Sequence, residues 1–352
     1  MPEIRIDPLS GHRTIVAGER SRRPGGAPGL PDGVRDTSPI DPAADPFADG
    51  NEARTPPELY AVRSGGGAPD SPGWTVRVVP NLFPALSESD GNVPAASENP
   101  TEEAPASAAG GGPPLRGDAH GELFRSLPAR GAHEVIVNGP QPVLSLAELP
   151  VEQVAAAVEA WRARMRAHAS SAYVQLIVNE RREAGASLPH THAQLYALDF
   201  VPAAVARERE RFGAYTTRTM GQNLLGDLVA EEVRLRERIV AIDDDAVLMA
   251  PYASRLPFQL MLAPRRPRAR FEDDGPTGAA LLHDGLRRLA RHLGASPPLN
   301  LWVRTAPRGA EHFCWRIDVL PRLTHLAGLE LSTDLNLNIV APEHAAALLR
   351  DA

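Results

Sequence analysis

Cysteine is almost missing from this chain: Cys314 stands alone among 352 residues. That excludes an internal disulfide and makes a reducing cytoplasm the expected setting. Lysine is missing altogether, so arginine supplies all 37 basic side chains. With alanine and proline abundant, this is a bias that a GC-rich genome produces as readily as function does. No apolar run approaches the roughly 20 residues a membrane span needs. Met1-Pro2-Glu3 opens without the basic-then-apolar pattern of a secretory signal. A formal net charge of -7 argues against a general nucleic-acid surface, which needs clustered positive charge. The 43% hydrophobic content is enough for one large core or two smaller ones.

Two stretches carry little regular signal. Residues 21–58 are dense in Pro, Gly and Asp and predict a long surface-hugging segment. Between Leu86 and Leu115 the only large apolar residue is Val93. Such a segment cannot bury enough surface to offset its ordering entropy, so a disordered insertion is expected over about 86–125. From Gly131 onward the pattern sharpens. Residues 133–138 read as a strand, and Val151, Val154, Val158, Trp161 and Met165 mark an amphipathic helix opened by Pro150. Strands follow at 173–179 and 192–198, then a helical region over 202–240 with a break near 221–226. The second half repeats the order: strands at 246–250 and 258–263, a helix at 281–293, strands at 299–305 and 313–320.

His190-Thr191-His192-Ala193-Gln194 is the most informative passage. Side chains alternate along a strand, so the two imidazoles and the glutamine share one face. Just upstream, Ala184-Gly185-Ala186-Ser187 offers small residues that let backbone approach phosphate oxygens. A neutral imidazole beside such donors suits nucleophilic attack at phosphorus. On spacing alone, half of a metal site and a plain polar rim are competing readings. When the last strands of the two halves are aligned, this passage falls on Cys314-Trp315-Arg316-Ile317-Asp318. An internal duplication explains that, with the reactive histidine kept only in the first copy; a chance match of two amphipathic strands is the alternative.

These blocks resemble the galactose-1-phosphate uridylyltransferase family of the histidine-triad superfamily, which writes the passage as Gly-Ala-Ser, a spacer and His-Pro-His-x-Gln. Further blocks follow the family's order along the chain: Glu3 to Pro8, Glu19 to Pro24, Thr55-Pro56-Pro57-Glu58, Trp74 to Asn81, His133 to Val137, Asn179, Leu320 to Thr324 and Ala327 to Glu330. The resemblance implies an α+β fold of two duplicated histidine-triad-like halves, residues 1–200 and 201–352, each a mostly antiparallel sheet packed with helices. It implies His192 as nucleophile and Gln194 on the α-phosphate oxygens. It further implies that Gly185 and Ser187 contact phosphate, that Arg20, Arg23, Asn81 and Asn179 seat the nucleotide, and that Glu330 bonds sugar hydroxyls. Nucleotide sugars and sugar 1-phosphates are the implied substrates, in a homodimer with the site near the interface.

The sequence departs from that pattern in ways that matter. The family's zinc site uses Cys-Pro-Phe-Cys, a later histidine and the first histidine of His-Pro-His; here those positions are Asp45, Ala48, Pro142 and His190. One imidazole with one carboxylate is not a tetrahedral structural site, so no zinc is expected. In the second copy the family's His-Trp-His-Ile-Glu is replaced by Cys314 to Asp318. Arginine cannot ligate a cation; Arg316 and Asp318 are expected to pair, Glu208 to stand alone and Cys314 to act as a buried small hydrophobe. Thr191 replaces proline and is expected to loosen the strand slightly. Arg181 replaces a glycine and is expected to add charge beside the phosphates or to alter which group fits. Three readings stay open: a hexose-1-phosphate uridylyltransferase-like enzyme, a nucleoside diphosphate sugar phosphorylase or specialised-metabolism nucleotidyltransferase, and a nucleotide-binding protein without turnover.

Overall fold

The computed structural model describes residues 2–22, 28–31, 34, 39–87, 123–124 and 126–352. Arg23 and most of the expected 86–125 insertion lie outside the described residues. In chain order the strands are β1 (Glu3–Ile6), β2 (Arg13–Val16), β3 (Tyr60–Val62), β4 (Val76–Pro80), β5 (Gly131–Val137), β6 (Tyr173–Glu180) and β7 (His192–Leu198). They continue as β8 (Ile239–Ile242), β9 (Ala246–Met249), β10 (Leu260–Pro264), β11 (Leu299–Arg304), β12 (Arg316–Pro321) and β13 (Asn336–Asn338). The helices are α1 (Val151–Ala167), α2 (Ala203–Arg218), α3 (Leu224–Leu235), α4 (Ala279–Leu293), α5 (Gly328–Thr333) and α6 (Pro342–Arg350).

Among the described residues, ten strands form one sheet in the order β3-β4-β5-β7-β6-β11-β12-β10-β9-β8, antiparallel at every pairing. The order is nearly palindromic about the β6–β11 seam, where Asn179 faces Asn300 and Ile177 faces Trp302. A small second sheet joins the chain's two ends, with β13 running parallel to β2 and β1 antiparallel to it.

Alternation fixes which face carries chemistry. On β7, Ala193, Leu195 and Ala197 enter the main core with Val174, Leu176 and Val178 of β6, beneath α1 and α4. His192, Gln194 and Tyr196 are left on the opposite face. In the second half that opposite face is covered instead by Phe212 of α2 and Leu225 and Val229 of α3, packed against Met249 and Met261. In the first half it carries a smaller cluster of Phe47, Trp74, Val79, Val135 and Val137, against which Leu188 packs. Gly131 has φ +142°, and a Cβ there would stand 1.9 Å from the Ala197 carbonyl oxygen, so only glycine lets β5 start this close to β7.

The expected helical stretch to 240 stops earlier. Arg236 turns left-handed at φ +59° and closes α3 by donating its N–H to Glu232 O. The β-branched run that follows pairs with β9 as β8. The expected strand at 313–320 begins only at Arg316 and runs to Pro321.

Candidate active site

His192 opens β7 with its ring 5% exposed. Its Nδ1 lies 2.8 Å from the His190 carbonyl, which can only accept, so the proton sits on Nδ1 and the Nε2 lone pair is left free. The Phe47 ring meets it edge-on at 5.2 Å. Burial lowers the His192 pKa; the bond to the His190 carbonyl works the other way without reversing it. The ring is therefore held neutral, as a nucleophile requires.

His190 lies before the first residue of β7, is fully buried, and meets the same Phe47 ring edge-on at 6.2 Å. Its Nδ1 meets Asp45 Oδ2 at 2.6 Å and its Nε2 donates to Gly139 O at 2.8 Å. Asp45 in turn accepts the Phe47 N–H at 2.9 Å, which ties the first segment to the ring that packs on His192. The donor set does not fit zinc. Both ring nitrogens of His190 are engaged, Ala48 and Pro142 offer no ligand atom, and no group of three His, Cys, Asp or Glu gathers among the described residues. The residue that replaces proline does not loosen the strand. Thr191 donates its N–H to Val143 O at 2.8 Å, and its hydroxyl accepts from Asn138 Nδ2 at 3.2 Å. Asn138 is held from beneath by Trp161 Nε1 and Gln153 Nε2 of α1.

Gln194 is gripped through its carbonyl oxygen alone. His133 Nε2 lies 3.0 Å away, and the Tyr196 hydroxyl donates at 2.9 Å. The proton assignment is internal to the geometry: His133 Nδ1 accepts the Ala85 N–H at 3.1 Å, so the proton is on Nε2. Burial lowers the His133 pKa, against the Gln194 bond, and keeps that ring in its single-proton form. The His133 and Tyr196 rings also stack, 4.1 Å apart. With Oε1 doubly occupied, the amide NH2 of Gln194 is the end left to present donors. The Asn81 amide abuts the same His133 nitrogen at 3.1 Å and anchors the Phe83 N–H. His133 and Tyr196 were not among the residues singled out from the sequence. The signal was their place on the outward parity of β5 and β7, but the pairing of those strands is non-local.

The small-residue loop forms a 3-10 turn over Arg182–Ala184 closed by Gly185 at φ +93°. Gly185 and Ser187 are exposed, as phosphate contacts would need to be. Asn179 and the loop are joined by Asn300, whose Nδ2 donates to Asn179 Oδ1 and Ala184 O, each at 2.8 Å. The Arg181 guanidinium, however, is buried and donates through Nε to Ser296 O at 2.9 Å, so its charge goes to a protein carbonyl. Its backbone, at φ +66° and ψ 158°, lies where glycine alone is at ease. That leaves Arg181 holding strain of about 1–3 kcal/mol. Arg20 sits exposed on the 3-10 turn Gly18–Arg22, and Glu330 accepts the Ala327 N–H at 2.9 Å as the cap of α5. Neither touches the His192 cluster.

The second copy holds an ion cluster where the first holds its imidazole. Arg316 grips Glu208 with both terminal nitrogens, at 3.0 and 3.1 Å, and Asp318 through Nε at 3.0 Å. Glu208, on α2, therefore does not stand alone: Arg316 reaches it from β12. Burial opposes the Arg316 charge, but Asp318 and Glu208 outweigh it and raise its pKa. Cys314 is fully buried, with its pKa pushed up to about 12 by burial, and so is unreactive.

A family model described as the galactose-1-phosphate uridyl transferase N-terminal domain matches residues 73–202. A second, described as a domain of unknown function, DUF4921, matches residues 145–351. An ADP-glucose phosphorylase from Arabidopsis thaliana is 26% identical over 367 residues, covering 99% of this chain and 93% of its own. A galactose-1-phosphate uridylyltransferase from Cryptococcus neoformans is 28% identical over 255 residues, covering 65% of this chain and 67% of its own. A crystal structure of an Arabidopsis thaliana ADP-glucose phosphorylase with bound ADP-glucose superposes with a TM-score of 0.75 at 24% identity, covering 100% of this chain and 99% of that one.

Proposed function

The chain belongs to the galactose-1-phosphate uridylyltransferase family and, over residues 145–351, to the DUF4921 domain family; from that membership and the site geometry we infer nucleotidyl transfer by double displacement through His192. His192 Nε2 attacks the α-phosphorus of a nucleoside diphosphate sugar. The bond to the bridging oxygen breaks, and sugar 1-phosphate leaves with the electron pair. An acceptor phosphate oxygen then attacks the same phosphorus, the N–P bond breaks, and the neutral ring returns. The carrying observation is the free Nε2 of a buried, neutral ring whose other nitrogen is fixed on a carbonyl.

Charge that develops on the phosphoryl oxygens needs donors fixed in advance, which the Gln194 amide supplies. Gly185, Ser187, Asn81 and Asn179 surround the phosphates and nucleotide, with Arg20 and Arg23 on the nucleotide and Glu330 on the sugar. Arg20 and Glu330 stand apart from His192 within one chain; a homodimer whose site is shared between two copies reconciles this. A cytoplasmic setting fits the single, buried thiol.

The acceptor has two candidates. Resemblance to uridylyltransferases favours a hexose 1-phosphate. The end-to-end likeness to an ADP-glucose phosphorylase favours inorganic phosphate and an adenine nucleotide. The deciding experiment supplies UDP-glucose or ADP-glucose with either acceptor and follows nucleotide products by mass spectrometry. Nucleotidyl exchange with one pairing is expected, and tight nucleotide binding with no exchange in any pairing would refute the reading. Because the unprotonated ring is the active form, activity is lost as pH falls through the His192 pKa. With that pKa lowered, the acid limb of kcat/KM should lie below the ordinary imidazole value of about 6.5.

His133→Phe removes one of the two donors that orient Gln194. It should lower kcat by roughly 10–100-fold with a smaller change in nucleotide KM, since the lost alignment matters most in the transition state. His133→Gln, which keeps an N–H for Gln194 Oε1, should recover part of that loss. A kcat for His133→Phe equal to wild type would remove the positioning role.

A further inference from the structure

Among the described residues, two buried side-chain polar atoms have no hydrogen-bond partner: Trp302 Nε1 and Arg304 Nε. Both are N–H donors, both belong to outward residues of β11, and both residues line the same cavity of about 120 Å³. A buried donor left without an acceptor costs about 1–3 kcal/mol. Two of them on residues that line one hollow mark a place suited to an acceptor.

The charges around the cavity are unevenly committed. Arg207, Arg255, Arg304 and Arg316 face Asp7, Glu208 and Asp318. Asp7 is occupied by the Leu9 and Ser10 N–H groups and the Ser10 hydroxyl. Glu208 and Asp318 are taken by Arg316. Arg304 Nε lies 3.4 Å from Glu208, within ion-pair reach but without a hydrogen bond. Arg207 and Arg255 make no close ion pair among the described residues; Arg255 acts on Glu208 only at longer range and rests over the Trp302 ring at 5.6 Å. A cation would meet these guanidiniums, and an apolar group would leave both orphan donors unsatisfied. An oxyanion answers both, and guanidinium forks match its geometry.

We infer that this cavity beside the Arg316 cluster is a binding site for a tetrahedral oxyanion of phosphate size, separate from the His192 site. Trp302 and Arg255 also wall the neighbouring cavity of about 340 Å³ that holds Asn179 and Asn300. A bound anion therefore fixes a wall shared with the seam between the copies. The inference does not depend on the proposed reaction.

The test titrates the full chain with inorganic phosphate, and in a parallel arm with glucose 1-phosphate, at constant ionic strength. Calorimetry and tryptophan fluorescence are the readouts. Phosphate binding should survive Gln194→Ala and weaken about tenfold or more in Arg304→Gln and in Arg255→Ala. The accompanying fluorescence change should vanish in Trp302→Phe. Arg255→Ala alters a partly exposed side chain and carries the test if Arg304→Gln fails to fold. Equal weakening of glucose 1-phosphate binding would identify a sugar phosphate as a source; response to phosphate alone would identify the free anion. Phosphate binding that is absent, unchanged in both arginine variants, or lost in Gln194→Ala would overturn the inference and leave the cavity to water.

Discussion

Replacing His192 by glycine is expected to abolish the labelled protein that forms when wild type meets a nucleotide sugar carrying label in its nucleotidyl group. Turnover should fall about 10⁴-fold or more, the scale on which loss of a covalent nucleophile acts. The adduct on wild type should be acid-labile and base-stable, as a phosphoramidate is. The size of the effect follows from the neighbouring groups: among the described residues His190 has both nitrogens engaged, and Cys314 is buried in the second half with its proton held. Label that persists on the glycine variant would mean that another group attacks phosphorus.

Arg316→Met should destabilise the protein by about 3–5 kcal/mol, read as a shift in urea midpoint at neutral pH. The guanidinium is 4% exposed and answers two carboxylates at once. Its removal strands Asp318 as a buried charge and leaves Glu208 with only the 3.4 Å approach of Arg304. Changing the three together, Arg316→Met with Glu208→Leu and Asp318→Leu, should recover most of the loss, because buried ion groups often trade evenly with apolar ones. Unchanged stability in Arg316→Met alone would mean that the cluster is solvated enough to contribute little.

Most strands and helices between Gly131 and Pro321 are legible because each has a clear period, and because Pro150 and the Gly-Ala-Ser turn punctuate it; β8, α5, β13 and α6 are not. The outward parity of His192 and Gln194 followed from the same alternation. What surrounds them was not legible. His133 reaches Gln194 only through the register of β5 on β7, and Asp45 reaches His190 across 145 residues. Sequence spacing holds no record of such distant pairings. Glu208 was misjudged for the same reason, since its partner lies on a strand 108 residues away. Arg181 was misjudged differently: the sequence displayed its charge, while the left-handed backbone and the buried carbonyl that takes that charge appear only in three dimensions.

The seam where β6 pairs with β11 has a consequence for how the gene can be divided. A fragment ending near residue 200 would expose β6, a mostly apolar eight-residue strand, as a bare edge, and the complementary fragment would expose β11. Such edges template pairing with other chains, so either piece alone would tend to self-associate or aggregate. The ten-stranded sheet is thus a single unit of inheritance, which recombination can exchange whole but not by halves.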